Sequence, residues 1–349
     1  MSQHPVGADA PGPVLHRRDA VGSTQDEAAA FLRAGEAPPF TLTARRQTAG
    51  RGRLGRAFAS PDGASLSLTH VHRTAITPEA RGWIPLAAGL AAVRALDAVV
   101  PVTGEDGVRV GLKWPNDLHT ADGRKLGGIL VEVRGAHDLL IGIGLNLRGP
   151  VLGADGAPVP GAAWLRGEGG IREEAGAPAD GALREALEEA LVAALRDELE
   201  RLESTQGDGD DAGTRGRYTV SCLTLGRAVR VDPLGETGAG GAQSAPPALR
   251  GIARDIDGYG RLVLDSGTGE RRTAVDVGDV RHLRPDAPSG TAHETTTAGE
   301  NTAGENTAGP SAADSARPRA AAQDAAPPSN RREASRPQET SMEHEGRTR

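Results

Sequence analysis

The pattern of apolar residues changes once, at the acidic and glycine-rich stretch 207–213, and that change limits the architectures open to the chain. Before it, helical and strand-like periodicities alternate; after it, only short strand-like runs occur. Helices mixed with strands, followed by strands alone, fit an α+β domain joined to a small β unit. The end of the chain sets a second limit. Pro285 to Arg349 consists largely of Ala, Pro, Ser, Thr, Glu and Arg, has almost nothing able to enter a core, and is expected to be a disordered tail. Roughly 270 residues are left to fold, enough for a substantial core.

Upstream of the break, Ser23-Thr24-Gln25-Asp26-Glu27 precedes Ala28 to Arg33, with Gly35 after it. A hydroxyl cap, acids in the first turn and a glycine stop predict a helix. Pro39 to Ala44 and Ala64 to His70 read as strands around a glycine- and arginine-rich loop. Pro78 to Val99 reads as one long helix, with Pro85 its weak point. Strands are expected over Gly107 to Trp114, Lys125 to Val133 and Leu139 to Leu147, the last two joined by a turn at Gly135. Residues 150–180 have little periodicity. Ala182 to Leu202 reads as an amphipathic helix with a stripe of Leu183, Leu187, Leu191, Leu195 and Leu202. Beyond the break the expected strands are Arg217 to Leu225, Ala228 to Val231, Leu249 to Ile256, Leu262 to Leu264 and Arg271 to Val277. Asp257-Gly258 is a hairpin signal, and Leu234 to Pro247 reads as a flexible loop. The expected divisions are a flexible N-terminus 1–13, a domain 14–206, a β domain 214–284 and the tail 285–349.

The formal charge of −7 gives no basic footprint for nucleic acid. A single cysteine, Cys222, allows no intrachain disulfide and fits a reducing cytoplasm, with a small buried hydrophobe as its plain reading. No basic-then-apolar leader and no apolar stretch of membrane-spanning length occurs, so neither export nor a membrane partner is expected. The 40 basic residues include only two lysines, Lys113 and Lys125, both in one short segment. In an arginine-rich chain, a retained lysine suggests that a compact ammonium is wanted there.

Three blocks are dense in residues suited to chemistry. Gly50-Arg51-Gly52-Arg53-Leu54-Gly55 has the spacing of a dinucleotide fingerprint but runs into a poor helix start, so a nicotinamide-binding use is disfavoured. It reads better as a mobile loop closing over an anion, with Arg51, Arg53 and Arg56 as forked donors. Lys113-Trp114-Pro115-Asn116-Asp117 sets an ammonium at a strand end beside a rigid proline and two short polar side chains, which suits a reacting phosphate. Lys125-Leu126-Gly127-Gly128 follows; its lysine reads equally as a ligand contact or a surface residue, and its glycines permit close approach of a ligand. In Gly142-Ile143-Gly144-Leu145-Asn146, Asn146 ends an apolar run and must bond either to backbone or to a ligand's base ring. No His or Cys arrangement suggests a covalent enzyme intermediate, and no metal ligands are assigned.

Taken in order, Ser23-Thr24, Gln47 through Arg56, Lys113 to Asp117, Lys125 to Ile129 and Gly142 to Asn146 resemble the successive blocks of the biotin protein ligase family. The β unit after residue 215 is similar to that family's C-terminal domain. The resemblance implies an α+β fold: a mixed-sheet catalytic domain with flanking helices, then a small SH3-like β-barrel. It implies an ATP-dependent ligase that forms biotinyl-5'-AMP, with Mg²⁺ shielding the phosphates, and passes biotin to a lysine of a biotin carboxyl carrier domain, as in acetyl-CoA carboxylase. A lipoate-type or other acyl-adenylate ligase is the alternative. By the same resemblance Ser23, Thr24 and Gln47, with Arg51, hold the fused-ring end of biotin. Arg53 and the loop through Gly50 and Gly52 close over it. Lys113 meets the biotin carboxylate and α-phosphate, and Asn146 lies near the adenine, with Asn116, Lys125, Gly128 and Gly144 in the same binding set. Two positions depart from the family pattern: Gln25 stands where Asn is usual, and Phe58 where Trp is common, so the indole N–H donor is lost. Only about 20 residues precede Ser23, too few for the helix-turn-helix that some members carry. A stand-alone cytoplasmic ligase without a DNA partner, monomeric or weakly dimeric, is therefore expected.

Overall fold

The computed structural model describes residues 14–55, 58, 63–100, 110–153, 155–172, 180–233, 247–267, 272–276 and 278–283. The expectations for 1–13, Arg56, most of the 234–247 loop and the tail 285–349 lie outside these residues.

The chain opens with β1 (Val14–Val21), α1 (Thr24–Arg33) and β2 (Phe40–Gln47), and β1 pairs parallel to β2 across the helix. β3 (Ser65–Arg73) turns back antiparallel on β2. After α2 (Trp83–Val99) come β4 (Val110–Lys113), β5 (Asp117–Thr120), β6 (Lys125–Arg134) and β7 (Asp138–Asn146). The seven strands form one mixed sheet in the order β1-β2-β3-β7-β6-β5-β4. The sequence reading leaves β1 without an element because Arg17, Arg18 and Asp19 break its apolar alternation. The structure puts β1 at the sheet edge, where charged side chains are tolerated and discourage edge-to-edge pairing.

Alternation along β7 assigns the two faces of the sheet. Leu139, Ile141, Ile143 and Leu145 join the large core with α2 and α3 (Asp180–Ser204). Leu140, on the opposite face, packs with Phe40, Leu42, Val71 and Ala28 of α1. The predicted leucine stripe of α3 is buried throughout. The run from Pro78 is not one helix. A 3-10 turn at Pro78–Ala80 precedes α2, which places Pro85 in the first turn of the helix, where its missing N–H has no intrahelical partner to lose.

The expected strand Arg217 to Leu225 is a correction. Thr214–Ser221 forms helix α4, with Thr214 and Tyr218 buried and Val220 74% exposed. A four-residue spacing puts Thr214 and Tyr218 on one helical face, and that contact overrides the β propensity of Tyr-Thr-Val. The strand-like character is confined to the residues after α4, where the Leu223 N–H donates to the Leu112 carbonyl at 2.7 Å.

The second sheet comprises β8 (Ala228–Pro233), β9 (Leu249–Ile256), β10 (Leu262–Asp265), β11 (Arg272–Val275) and β12 (Gly278–His282), in the order β11-β10-β9-β8-β12. The predicted last strand thus stops at Val275, and the next five-residue strand pairs with β8 instead. Two tryptophans tie the sheets together. Trp83 Nε1 donates to the Gly258 carbonyl at 2.7 Å, and Trp114 Nε1 donates to the Gly260 carbonyl at 3.0 Å. Both sheets lie in one compact unit, Met1–Ser289.

Candidate active site

The face of the large sheet opposite α2 and α3 carries a cavity of about 380 Å³, of a size for a small organic ligand. Its floor is open because β7 places Gly142 and Gly144 where Leu140's alternation would otherwise set side chains. A Cβ at Gly144 would stand 2.7 Å from Phe58 Cζ, and one at Gly142 would stand 2.9 Å from Gln25 Nε2. Glycine is what lets these two side chains lie against the strand.

The start of α1 lines one part of the cavity with a buried polar chain. Gln47 Oε1 accepts from the Thr24 backbone N–H at 2.8 Å and from Thr24 Oγ1 at 3.1 Å. Gln47 Nε2 donates to Ser67 Oγ at 3.1 Å, and Thr69 Oγ1 donates to Thr24 Oγ1 at 2.9 Å. Sequence reading found Ser23, Thr24 and Gln47 but missed Ser67 and Thr69, whose alternation on β3 is the signal that places them on this face. Gln25 lines the same wall. Its Nε2 donates to the Leu130 carbonyl at 2.9 Å, and its buried Oε1 has no hydrogen-bond partner.

The arginine loop reaches the cavity through Arg51, Gly52, Arg53 and Phe58. Arg51 makes a two-pronged pair with Asp26 at 2.7 and 2.8 Å, while Glu132 lies 3.7 Å away. Arg53 donates to Asn116 Oδ1 at 2.7 Å and to the Gly278 carbonyl at 3.2 Å. Gly50 is not on the lining; its carbonyl accepts from the Phe58 N–H at 2.9 Å and closes the loop on itself. The loop passes into a 3-10 turn at Arg53–Gly55, unlike a dinucleotide fingerprint, which opens a helix.

The two lysines separate. Lys125 is on the cavity wall, with Nζ 2.6 Å from Asp117 Oδ1. Lys113 is not among the lining residues. It ends β4, the outermost strand, whereas Lys125 begins β6, directly beside the glycine-floored β7. At about 4.8 Å per strand, that sets the Lys113 backbone roughly 10 Å farther from the floor. Lys125 is thus the lysine on the cavity wall, and Lys113 stands at the end of β4, beyond the lining. Burial alone would push the Asp117 carboxyl up, but the facing His119 and Lys125 outweigh it and hold the group at about 2. The wall thus carries an ionised carboxylate beside Lys125 Nζ.

Asn116 and Asn146 line the cavity, but each has backbone work. Asn116 Nδ2 donates to the Ile129 carbonyl at 2.8 Å and Asn146 Nδ2 to the Ala163 carbonyl at 2.9 Å. The Asn146 amide N–H thus goes to backbone while the residue still lines the cavity. Gly128 and Gly144 are on the lining as expected. The stretch of little periodicity after residue 150 supplies a further wall at 151–153 and 159–162. It is held by backbone bonds on both sides of Lys125, from the Lys125 N–H to the Gly161 carbonyl and from the Ala163 N–H to the Lys125 carbonyl. Backbone bonds of this kind leave no side-chain periodicity to read. Asp279 on β12 also lines the cavity, with no preceding sequence signal.

A site of this kind, with buried amide and hydroxyl groups, forked arginines on a loop and a lysine–aspartate pair, is built for a ligand that carries both a polar head and negative charge. Residues 21–146 match the model of the biotin/lipoate A/B protein ligase family. The biotin–[acetyl-CoA-carboxylase] ligase of Mycobacterium tuberculosis is 38% identical over 245 residues, covering 70% of this chain and 79% of that protein. The bifunctional ligase/repressor BirA of Escherichia coli is 44% identical over 108 residues, 30% of this chain and 32% of its own length. A biotin protein ligase from Aquifex aeolicus, solved in complex with biotin and ATP, aligns with a TM-score of 0.57 and 22% identity over 77% of this chain and 99% of its own. That last likeness establishes the fold. Together these features define an enzyme of the adenylate-forming protein ligase class. The chain belongs to the biotin/lipoate A/B protein ligase family.

Proposed function

We propose that this enzyme is a biotin protein ligase. The observation that carries the reading is the pairing, in one cavity, of the Thr24–Gln47–Ser67 chain with the Lys125 ammonium. A fused ureido ring offers both N–H donors and a carbonyl acceptor, which hydroxyl and amide groups match. The ligand's carboxylate then calls for a cation, which Lys113, as the sequence reading has it, and Lys125 on the cavity wall are there to supply. In the first step the biotin carboxylate oxygen attacks the α-phosphorus of ATP, forming biotinyl-5'-AMP as the α–β bridging bond breaks and pyrophosphate leaves. In the second, a lysine amine of a biotin carboxyl carrier domain attacks the acyl carbon, forming the amide as AMP departs. Lys113 and Lys125, with Arg51 and Arg53, neutralise charge gathering on the α-phosphoryl oxygens. For the arginines this requires Arg51 to exchange Asp26 for the substrate.

Among the described residues, no group of three or more carboxylate, histidine or cysteine side chains could hold a metal ion. In this reading Mg²⁺ enters as part of the ATP complex. The reading places the reaction in the cytoplasm, where ATP is supplied, and includes no DNA or membrane partner.

For the second sheet we infer the curl of an SH3-like barrel. Its two edge strands, β11 and β12, are consecutive in sequence and joined by residues 276–277 alone. A flat five-stranded sheet would hold its edges about 19 Å apart, whereas so short a connection spans only about 10 Å.

Incubation with biotin and ATP, followed by mass analysis, is expected to yield biotinyl-5'-AMP. Lys125→Ala should slow its formation on the order of 100-fold, as loss of one preorganised donor does. An adduct with lipoate and none with biotin would overturn the substrate; a fully active Lys125→Ala would remove that residue's role.

A further inference from the structure

Thr69 of β3 is fully buried and stands opposite Gly142 of the cavity floor in the strand register, yet it does not line the cavity. Val71, two residues on and on the same face, packs with Ala28, Phe40 and Leu42. Packing and strand propensity would be served at position 69 by valine as well as by threonine, which has the same branched shape. A buried hydroxyl is costly unless it is hydrogen-bonded, so the hydroxyl of Thr69 needs an account that packing does not give.

The protons of the chain it joins can be placed one by one. The Thr24 backbone N–H only donates, so the Gln47 atom facing it at 2.8 Å is the carboxamide oxygen. This N–H is one that a helix leaves unpaired in its first turn. Ser23 makes no side-chain bond to the helix start, so Gln47 caps α1 in its place. The same oxygen takes the Thr24 hydroxyl proton at 3.1 Å, and Gln47 Nε2 donates to Ser67 Oγ at 3.1 Å. Having given its one proton to Gln47, the Thr24 oxygen can only accept from the Thr69 hydroxyl, 2.9 Å away. The bonds therefore run one way, from Thr69 through Thr24 and Gln47 to Ser67. With a Thr24 lone pair engaged from behind by Thr69, the Thr24 proton is directed at Gln47.

We propose that Thr69 is a positioning residue for the ring end of the substrate: its buried hydroxyl holds the Thr24 hydroxyl, and through it the Gln47 carboxamide, in the orientation that receives the ligand. Thr69 touches no ligand itself. Without its hydroxyl, the Thr24 hydroxyl becomes a free rotor, and the order it loses has to be restored each time a ligand binds. The ring end lies away from the reacting carboxylate, so the loss falls on substrate affinity and spares the chemical step. The proposal rests on the biotin reading above, and the test separates the two.

Thr69→Val removes the hydroxyl and keeps the shape, whereas Thr69→Ser keeps the hydroxyl and drops the methyl. Affinities for biotin and for ATP are measured by calorimetry for both variants and the wild type, together with KM and kcat for adenylate formation. Thr69→Val should bind biotin about five- to ten-fold more weakly, as loss of one neutral hydrogen bond does, with a matching rise in the biotin KM. Its kcat and its ATP affinity should stay within about two-fold of the wild type. Thr69→Ser should stay within about two-fold of the wild type in every measurement, because the hydroxyl is kept. The role of Thr69 is overturned, and the biotin reading left standing, by any of three results: wild-type biotin affinity in Thr69→Val, a Thr69→Ser enzyme as weak as Thr69→Val, or a loss confined to kcat. A wild type that does not bind biotin removes that reading, and this proposal with it. Should Thr69→Val fail to fold, Thr69→Cys takes its place, read against Thr69→Ser, from which it differs only in the donor atom. Equal biotin affinities of those two refute the role.

Discussion

Replacement of Asp117 by Asn tests whether the ion pair at the cavity wall contributes to folding as well as to chemistry. The folded protein holds this carboxyl at about 2 against an ordinary 3.8, the facing His119 and Lys125 outweighing the cost of burial. At about 1.4 kcal/mol per pH unit, that gap corresponds to about 2 kcal/mol of stability at neutral pH. The side chain is 20% exposed, so screening by solvent removes little of it. The sign follows from the depressed folded value. The contribution is complete above the unfolded value and is lost as pH falls toward the folded one. Urea denaturation at pH 7 should therefore place Asp117→Asn about 2 kcal/mol below the wild type with an unchanged slope. The two proteins should converge as pH drops from about 4 toward about 2. Equal stability at pH 7, or a deficit that stays constant into acid, would show that the lowered carboxyl does not stabilise the fold.

Two further substitutions separate the site from its scaffold. Gly144→Ala sets a Cβ 2.7 Å from the Phe58 ring; adenylate formation should fall about ten-fold or more, while stability by thermal denaturation changes by less than about 1 kcal/mol. An unchanged rate would mean that the ring does not need this floor. Trp114→Phe leaves the Gly260 carbonyl without its buried donor and should cost about 1–3 kcal/mol, measured by urea denaturation. A neutral result would mean that the indole bond does not hold the second sheet to the first.

The sequence disclosed this molecule unevenly, and the unevenness has physical causes. α3 and β7 were readable because each buries a face at a fixed period over many residues, as the leucine stripe and the run Leu139 to Leu145 do. α4 was misread because a helix of two turns has room for one buried face only, and Tyr218-Thr219-Val220 favours strands when taken alone. The site shows the same division. Glycines at 142 and 144 and the scarcity of lysine pointed to segments that line the cavity, since both are local chemical requirements. How the two lysines are placed is not local. Lys113 and Lys125 stand twelve positions apart, one ending a strand and the other beginning one, and only the sheet order sends one to the outer edge and the other to the strand next to the cavity floor. Residue type thus marks where chemistry is possible, while strand order decides where each copy of that type stands.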